Sequence, residues 1–159
     1  MQVYLLRHGI AEDKSSSGKD RDRELTAKGR AELKAVLHVA ARAKVKPALI
    51  LTSPYMRARD TAAKARKILG VEENLIETNA LVPDSQPQTV WAEICDHRKE
   101  ESLMLVGHNP LFEQLVAHLL GTPTLQFQFQ KGAIVALEIS NFRGEPDGVL
   151  LWVLTPELA

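Results

Sequence analysis

The chain has a single cysteine, Cys95, and so cannot close an internal disulfide; that scarcity fits a reducing compartment. Neither sign of charge dominates, since 20 Lys and Arg are met by 20 Asp and Glu. A broad electrostatic attraction to nucleic acid or to an anionic membrane is therefore not expected, and any anion must be held by a local cluster. No hydrophobic run approaches the length that spans a bilayer. The first apolar run, Val3-Tyr4-Leu5-Leu6, is too short for the core of a signal peptide, and Arg7 and His8 interrupt it. No metal-ligand spacing is apparent, and no cofactor is implied. A soluble cytoplasmic protein is the expectation, and 159 residues are most naturally one domain, 1–159.

What is present is an alternation of short apolar runs with helix-period segments. Val3 to Leu6 reads as a buried strand, followed by a long polar loop over residues 11–24. Thr26 then caps a helix whose Leu33, Val36, Leu37 and Ala40 recur on one face. Ala48-Leu49-Ile50-Leu51 is a second strand. Ser53-Pro54 reads as a helix start, with serine at the cap and proline at the first helical position. Ala58, Ala62, Ala65 and Leu69 form that helix's apolar face, and Gly70 closes it.

Residues 74–87 are irregular, with one short strand before Asn79, and a helix with Trp91, Ile94 and Cys95 inward follows. Leu103-Met104-Leu105-Val106 is a third buried strand. Asn109-Pro110 reads as another cap-and-proline start, ahead of Phe112, Leu115, Val116 and Leu119. Two further strands, 133–139 and 149–153, flank a turn-rich link. Strands alternating with helices imply an α/β three-layer sandwich with a mainly parallel central sheet flanked by helices. Strands buried on both faces are continuously apolar, as these are, and the last pair is free to be antiparallel at one edge.

Ligands in open α/β sheets bind beyond the carboxyl ends of the strands. The three buried strands end in Arg7-His8-Gly9, in Ser53-Pro54-Tyr55-Met56-Arg57, and in Gly107-His108-Asn109-Pro110. Each segment delivers a cation or an imidazole. Arg57 lies in the first turn of its helix, where the dipole disfavours positive charge, so a nearby anion would offset a local penalty. Singly, each residue has a plain structural explanation: an exposed strand-end arginine, a solvated Arg57, a histidine bonded to backbone. Together, Arg7, His8, Arg57 and His108 are four donors to oxygen, which points to a phosphoryl site.

Arg7-His8-Gly9, the block from Ser53-Pro54 through Arg57-Ala58-Arg59-Asp60-Thr61-Ala62, and Gly107-His108 together resemble the histidine phosphatase superfamily, with its phosphoglycerate-mutase-like fold. Arg23-Glu24-Leu25-Thr26-Ala27-Lys28-Gly29 resembles the family's Leu-Thr-x-x-Gly helix entry. The resemblance spans essentially the whole chain. Short length, no large cap insertion and the Met-Gln-Val-Tyr start are most similar to the SixA group of phosphohistidine phosphatases. It implies that His8 is the nucleophile and becomes a phosphohistidine, while Arg7, Arg57 and His108 bind the phosphoryl oxygens. Arg23 is a secondary phosphate-binding candidate, with a solvated loop arginine as the alternative. No metal is implied. The implied substrate is a phosphorylated histidine-containing protein in signal transduction; the alternatives are a small-molecule phosphomonoesterase with the same chemistry and a silent phosphate-binding module. A monomer is the starting assumption.

Many relatives place a carboxylic acid near the leaving oxygen. Here Asp84 is the nearest candidate, but a loop-capping role explains it better. An alkoxide leaving group needs a proton, for which an acid contributes about 10²–10⁴-fold, whereas imidazole is a far weaker base. A site without a strong acid therefore points to phosphohistidine. Other chemistries match poorly. Asp20-Arg21-Asp22 follows no apolar strand, Cys95 lacks an arginine six residues on, and Ser17-Gly18-Lys19-Asp20 lacks the ends of a nucleotide-binding loop. His38, His97 and His118 fall on helices away from strand ends.

Overall fold

The computed structural model describes residues 1–71 and 75–159; Asn74, where the irregular stretch begins, lies outside them. The strands are β1 (Gln2–Arg7), β2 (Leu49–Thr52), β3 (Leu75–Glu77), β4 (Ser102–Gly107), β5 (Ile134–Glu138) and β6 (Val149–Leu154). The helices are α1 (Ala27–Arg42), α2 (Met56–Leu69), α3 (Pro87–Asp96) and α4 (Leu111–Leu119), with short 3-10 turns at Asp20–Asp22, Asn79–Leu81 and Pro156–Leu158. The sheet order is β3-β2-β4-β1-β5-β6. β1, β2, β3 and β4 are parallel, and β5 and β6 add an antiparallel edge.

The side-chain period of two explains why the parallel strands carry no polar stripe. Val3 and Leu5 of β1, Leu49 and Leu51 of β2, and Leu103 and Leu105 of β4 face one core with Ile94 of α3 and Phe112 and Leu115 of α4. The intervening Tyr4, Leu6, Ile50, Met104 and Val106 face a second core with Leu33 and Leu37 of α1 and Ala58, Ala62 and Ala65 of α2. Helices therefore cover both faces, as the strand–helix alternation implies. The two edges are the exceptions: Ile76 of β3 and Val149, Leu150 and Leu151 of β6 stay exposed.

Thr26 caps α1 as its sequence indicates, its Oγ1 accepting from Gly29 N–H at 2.9 Å. Gly70 closes α2 in the left-handed region. Both cap-and-proline starts are corrected. α2 begins at Met56 with Tyr55 before it, and α4 begins at Leu111 with Pro110 before it. Ser53 and Asn109 are drawn instead into tertiary hydrogen bonds at the strand ends. Cys95 is only half-buried, because it lies at the border of the face carrying Val90 and Ile94. Among the described residues, no helix is long and apolar enough to cross a membrane.

Candidate active site

Parallel register sets the site. Arg7 pairs with Gly107 and Thr52 with Val106, so β1, β4 and β2 end side by side. The next residues continue that alignment: His8 N–H donates to Gly107 O at 3.0 Å, and Ser53 N–H donates to Val106 O at 3.0 Å. Arg7 and His8 keep the alternation of β1. Arg7 leans towards α4, donating from Nη1 to Phe129 O and feeling the charge of Glu113. His8 leans towards α2 and meets Arg57.

Gly9 is closely packed. Its φ is not positive; a Cβ there would lie 3.2 Å from Gly29 O and 3.3 Å from a Leu25 methyl. The segment after His8 is pressed against the start of α1. Thr26 N–H donates to Ile10 O, and a Cβ on Gly29 would sit 2.2 Å from that same oxygen. The Leu-Thr-x-x-Gly entry thus fixes the backbone beyond the nucleophile candidate, while Gly9 N–H donates to Thr61 Oγ1 of α2 at 3.2 Å.

His8 is 6% exposed. Its Nδ1 lies 2.7 Å from Gly9 O, and a carbonyl only accepts, so Nδ1 carries the ring proton. Arg57 Nε–H points at His8 Nε2 at 3.3 Å, and a donor there requires the lone pair. Both contacts give the same tautomer. Burial drives the His8 pKa down to about 3; the Gly9 carbonyl opposes this, and the charges of Arg57, Arg7 and Lys131 reinforce it. His8 is therefore a neutral imidazole at pH 7 with Nε2 available.

His108 is 1% exposed, and its ring centroid lies 5.0 Å from that of His8. Burial, then His8 and the arginines, lower its pKa to about 2. Its Nε2 lies 2.8 Å from Ser53 Oγ, which also accepts from Tyr55 N–H. A Ser53 hydroxyl that donates to Nε2 leaves the His108 proton on Nδ1. Nδ1 and Arg7 Nε are buried polar atoms that have no hydrogen-bond partner among the described residues. Such donors are costly unless something accepts from them. Arg7 Nε–H, and His108 Nδ1–H in that tautomer, are donors suited to a tetrahedral oxyanion.

Arg57 is buried in the first turn of α2, and its counter-anion is Asp20. Nη1 donates to Asp20 O at 2.9 Å and Nη2 to Asp20 Oδ2 at 3.1 Å. Arg23 reaches this cluster at one remove: its Nε donates to Asp20 Oδ1 at 2.8 Å and its Nη1 to Glu12 O at 2.9 Å. The structure thus brings Arg7, His8, Arg57 and His108 together, with Arg23 at their margin on Asp20, near enough for its charge to act on Arg57 and His108. Asp84 is exposed after the Asn79–Leu81 turn, and Arg59 pairs with Glu77 at the surface. His38 is exposed, His97 ends α3, and His118 lies on α4 away from the site.

Three participants escaped the sequence. Asp20 sits in a polar loop without periodicity, although the unfavourable position of Arg57 signalled an anion. Ser53 carries a cap signature that hides its bond to His108. Lys131 follows Gln130 in a turn whose Gly132 N–H donates to both Arg7 O and His8 O, and no local signal marks it.

Known proteins similar to this chain identify its family. An uncharacterised protein of Picosynechococcus sp. is 30% identical, across 99% of this chain and 98% of that protein. Phosphohistidine phosphatase SixA of Escherichia coli is 27% identical, across 98% of this chain and 94% of that protein. The structure of the protein histidine phosphatase SixA complexed with tungstate superposes with a TM-score of 0.85 at 26% identity, covering 98% of this chain and 97% of that one. A mycobacterial glucosyl-3-phosphoglycerate phosphatase shares the fold, with a TM-score of 0.73 at 19% identity over 94% of this chain and 96% of that one. The family model for histidine phosphatase superfamily (branch 1) matches residues 3–82, which include the first two strand ends, and the chain belongs to that superfamily and is a phosphatase.

Proposed function

We propose that this phosphatase acts on phosphohistidine carried by a histidine-containing phosphotransfer protein, through a phosphohistidine on its own His8. The observation that carries the reading is the fixed tautomer of His8: Nδ1 is tied to Gly9 O, and Nε2 is unprotonated beside Arg57. Nε2 attacks phosphorus, the P–N bond to the substrate imidazole breaks with its electron pair going to that nitrogen, and the ring leaves as neutral imidazole, keeping the proton already on its other nitrogen. Phosphoryl transfer passes through a loose transition state, so positioning and charge dominate. Arg7, Arg57 and His108 receive the equatorial oxygens. The phosphorylated His8 ring is cationic, and Gly9 O accepts its Nδ1–H. Water then attacks phosphorus, the P–Nε2 bond breaks, and orthophosphate leaves. Two arginines supply the charge, and the scheme needs no metal.

The state of Asp20 and the exposure of Asp84 support imidazole as the leaving group. Partial burial pushes the Asp20 carboxyl up, but the hydrogen bonds and charges of Arg23 and Arg57 outweigh this and lower its pKa. Asp20 is thus ionised at pH 7 and is no proton donor, and Asp84 is exposed. Such a site suits imidazole, which leaves without help from a strong acid. The relation to SixA supports the same substrate class. A cytoplasmic setting and a role in phosphotransfer signalling belong to this proposal; balanced charge and the lone cysteine support the first.

The test is a hydrolysis panel comparing a phosphohistidine protein with sugar phosphates and nucleotides. The expected result is a kcat/KM for the phosphoprotein at least tenfold above every ester. Preference for one small ester would replace this reading with that of a small-molecule phosphomonoesterase.

A further inference from the structure

We propose that Asp20 is a positioning residue that holds the Arg57 guanidinium with its Nε edge turned to His8; this rests on the phosphatase reading above. A guanidinium has five N–H donors in a rigid plane. In Arg57, Asp20 takes one donor from each terminal nitrogen, through its main-chain oxygen at 2.9 Å and its carboxylate at 3.1 Å. Nε–H is aimed at His8 Nε2 at 3.3 Å. Each terminal nitrogen keeps one further N–H. The outer end of the fork is fixed, and the inner edge stays available to a group bound at His8.

This division of the fork resolves the conflict between an acidic neighbour and an anionic substrate. Asp20 accepts from the end away from His8, so a phosphoryl group need not displace it. Asp20 is itself braced, by Arg23 on its other carboxylate oxygen at 2.8 Å, and Arg23 is anchored on Glu12 O. Arg57 is 4% exposed, and burial lowers its pKa while Asp20 raises it. The carboxylate therefore keeps a desolvated cation charged as well as oriented. Arg23, at the margin of the cluster of Arg7, His8, Arg57 and His108, acquires a role as the brace of that brace.

Steady-state kinetics of Asp20→Ala, Asp20→Asn, Arg57→Ala and the double variant Asp20→Ala/Arg57→Ala test the proposal, with His8→Ala as the control for the phosphatase reading. The Asp20 side chain is 59% exposed, so neither substitution empties a core site. A misplaced catalytic group costs on the order of tenfold to a hundredfold, and Asp20→Ala is expected to lose that much kcat/KM, mainly in kcat. Asp20→Asn keeps an acceptor and is expected to recover part of the loss. The double variant should be no worse than Arg57→Ala, because Asp20 acts only through Arg57. Wild-type kinetics in Asp20→Ala, a gain of activity, or a loss that adds in full to that of Arg57→Ala would each overturn the proposal. Hydrolysis that survives His8→Ala unchanged would overturn the phosphatase mechanism itself, a separate result.

Discussion

Acidification from pH 7 to pH 5 should strip the folded state of about 4 kcal/mol through His8 and His108 alone. An unfolded histidine binds a proton below a pKa of about 6.5. Folded His8 titrates near 3 and folded His108 near 2, because both are buried among cations. Between these values the unfolded state binds more protons, so stability falls as pH falls. The contribution is fully present above pH 6.5 and is lost progressively towards pH 3. At pH 5 the unfolded chain has gained about 2 kcal/mol per histidine, from 1.36 kcal/mol per pH unit over about one and a half units. Against a total stability of about 5–15 kcal/mol, that is a large fraction. The Asp20 carboxyl is held below its usual range and contributes little within this window. Urea unfolding at pH 7, 6 and 5 is the assay, on the wild type and on His8→Gln and His8→Gln/His108→Gln. The wild-type slope should fall by about half in the single variant and nearly vanish in the double. Equal pH slopes in all three proteins would refute the burial of two neutral imidazoles.

Gly29→Ala should destabilise the fold by about 3 kcal/mol or more, since a Cβ 2.2 Å from Ile10 O outweighs a gain in helix propensity of about 1 kcal/mol. A urea midpoint at or above wild type would contradict the close packing of α1 on the segment after His8. Ser53→Ala leaves His108 Nε2 buried without a partner and should cost about 1–3 kcal/mol, with a loss of kcat/KM of about tenfold as the His108 tautomer is released. Unchanged kinetics with lowered stability would reduce Ser53 to a packing residue.

The strand ends were legible because β1, β2 and β4 are continuously apolar, and parallel strands buried on both faces allow little else. Arg7, His8, Arg57 and His108 follow from the rule that such strands present a site at their carboxyl ends. The sheet order was not legible: β4 between β2 and β1 depends on pairing across about a hundred residues of chain, which local patterns do not encode. Ser53-Pro54 and Asn109-Pro110 were misread because a cap signature is local while its competitors are not. Ser53 Oγ engages His108, and Asn109 Nδ2 donates to Glu113 at 2.7 Å and to Phe129 O at 3.2 Å. Asp20 escaped for a similar reason, lying 37 positions from the arginine it holds. Gly9 is likewise crowded by a distant part of the chain, since a Cβ there would lie 3.2 Å from the main-chain oxygen of Gly29.

Trapping the covalent intermediate tests the role of His8 most directly. The protein is mixed with a ³²P-labelled phosphohistidine protein, quenched in alkali within the first turnover, and the labelled site is located by peptide mass analysis. The expected result is an acid-labile, alkali-stable phosphoryl group on His8 that forms and decays at rates matching turnover, and no label or turnover in His8→Ala. Turnover at the wild-type rate without label on His8, or label on another residue at full occupancy, would contradict it.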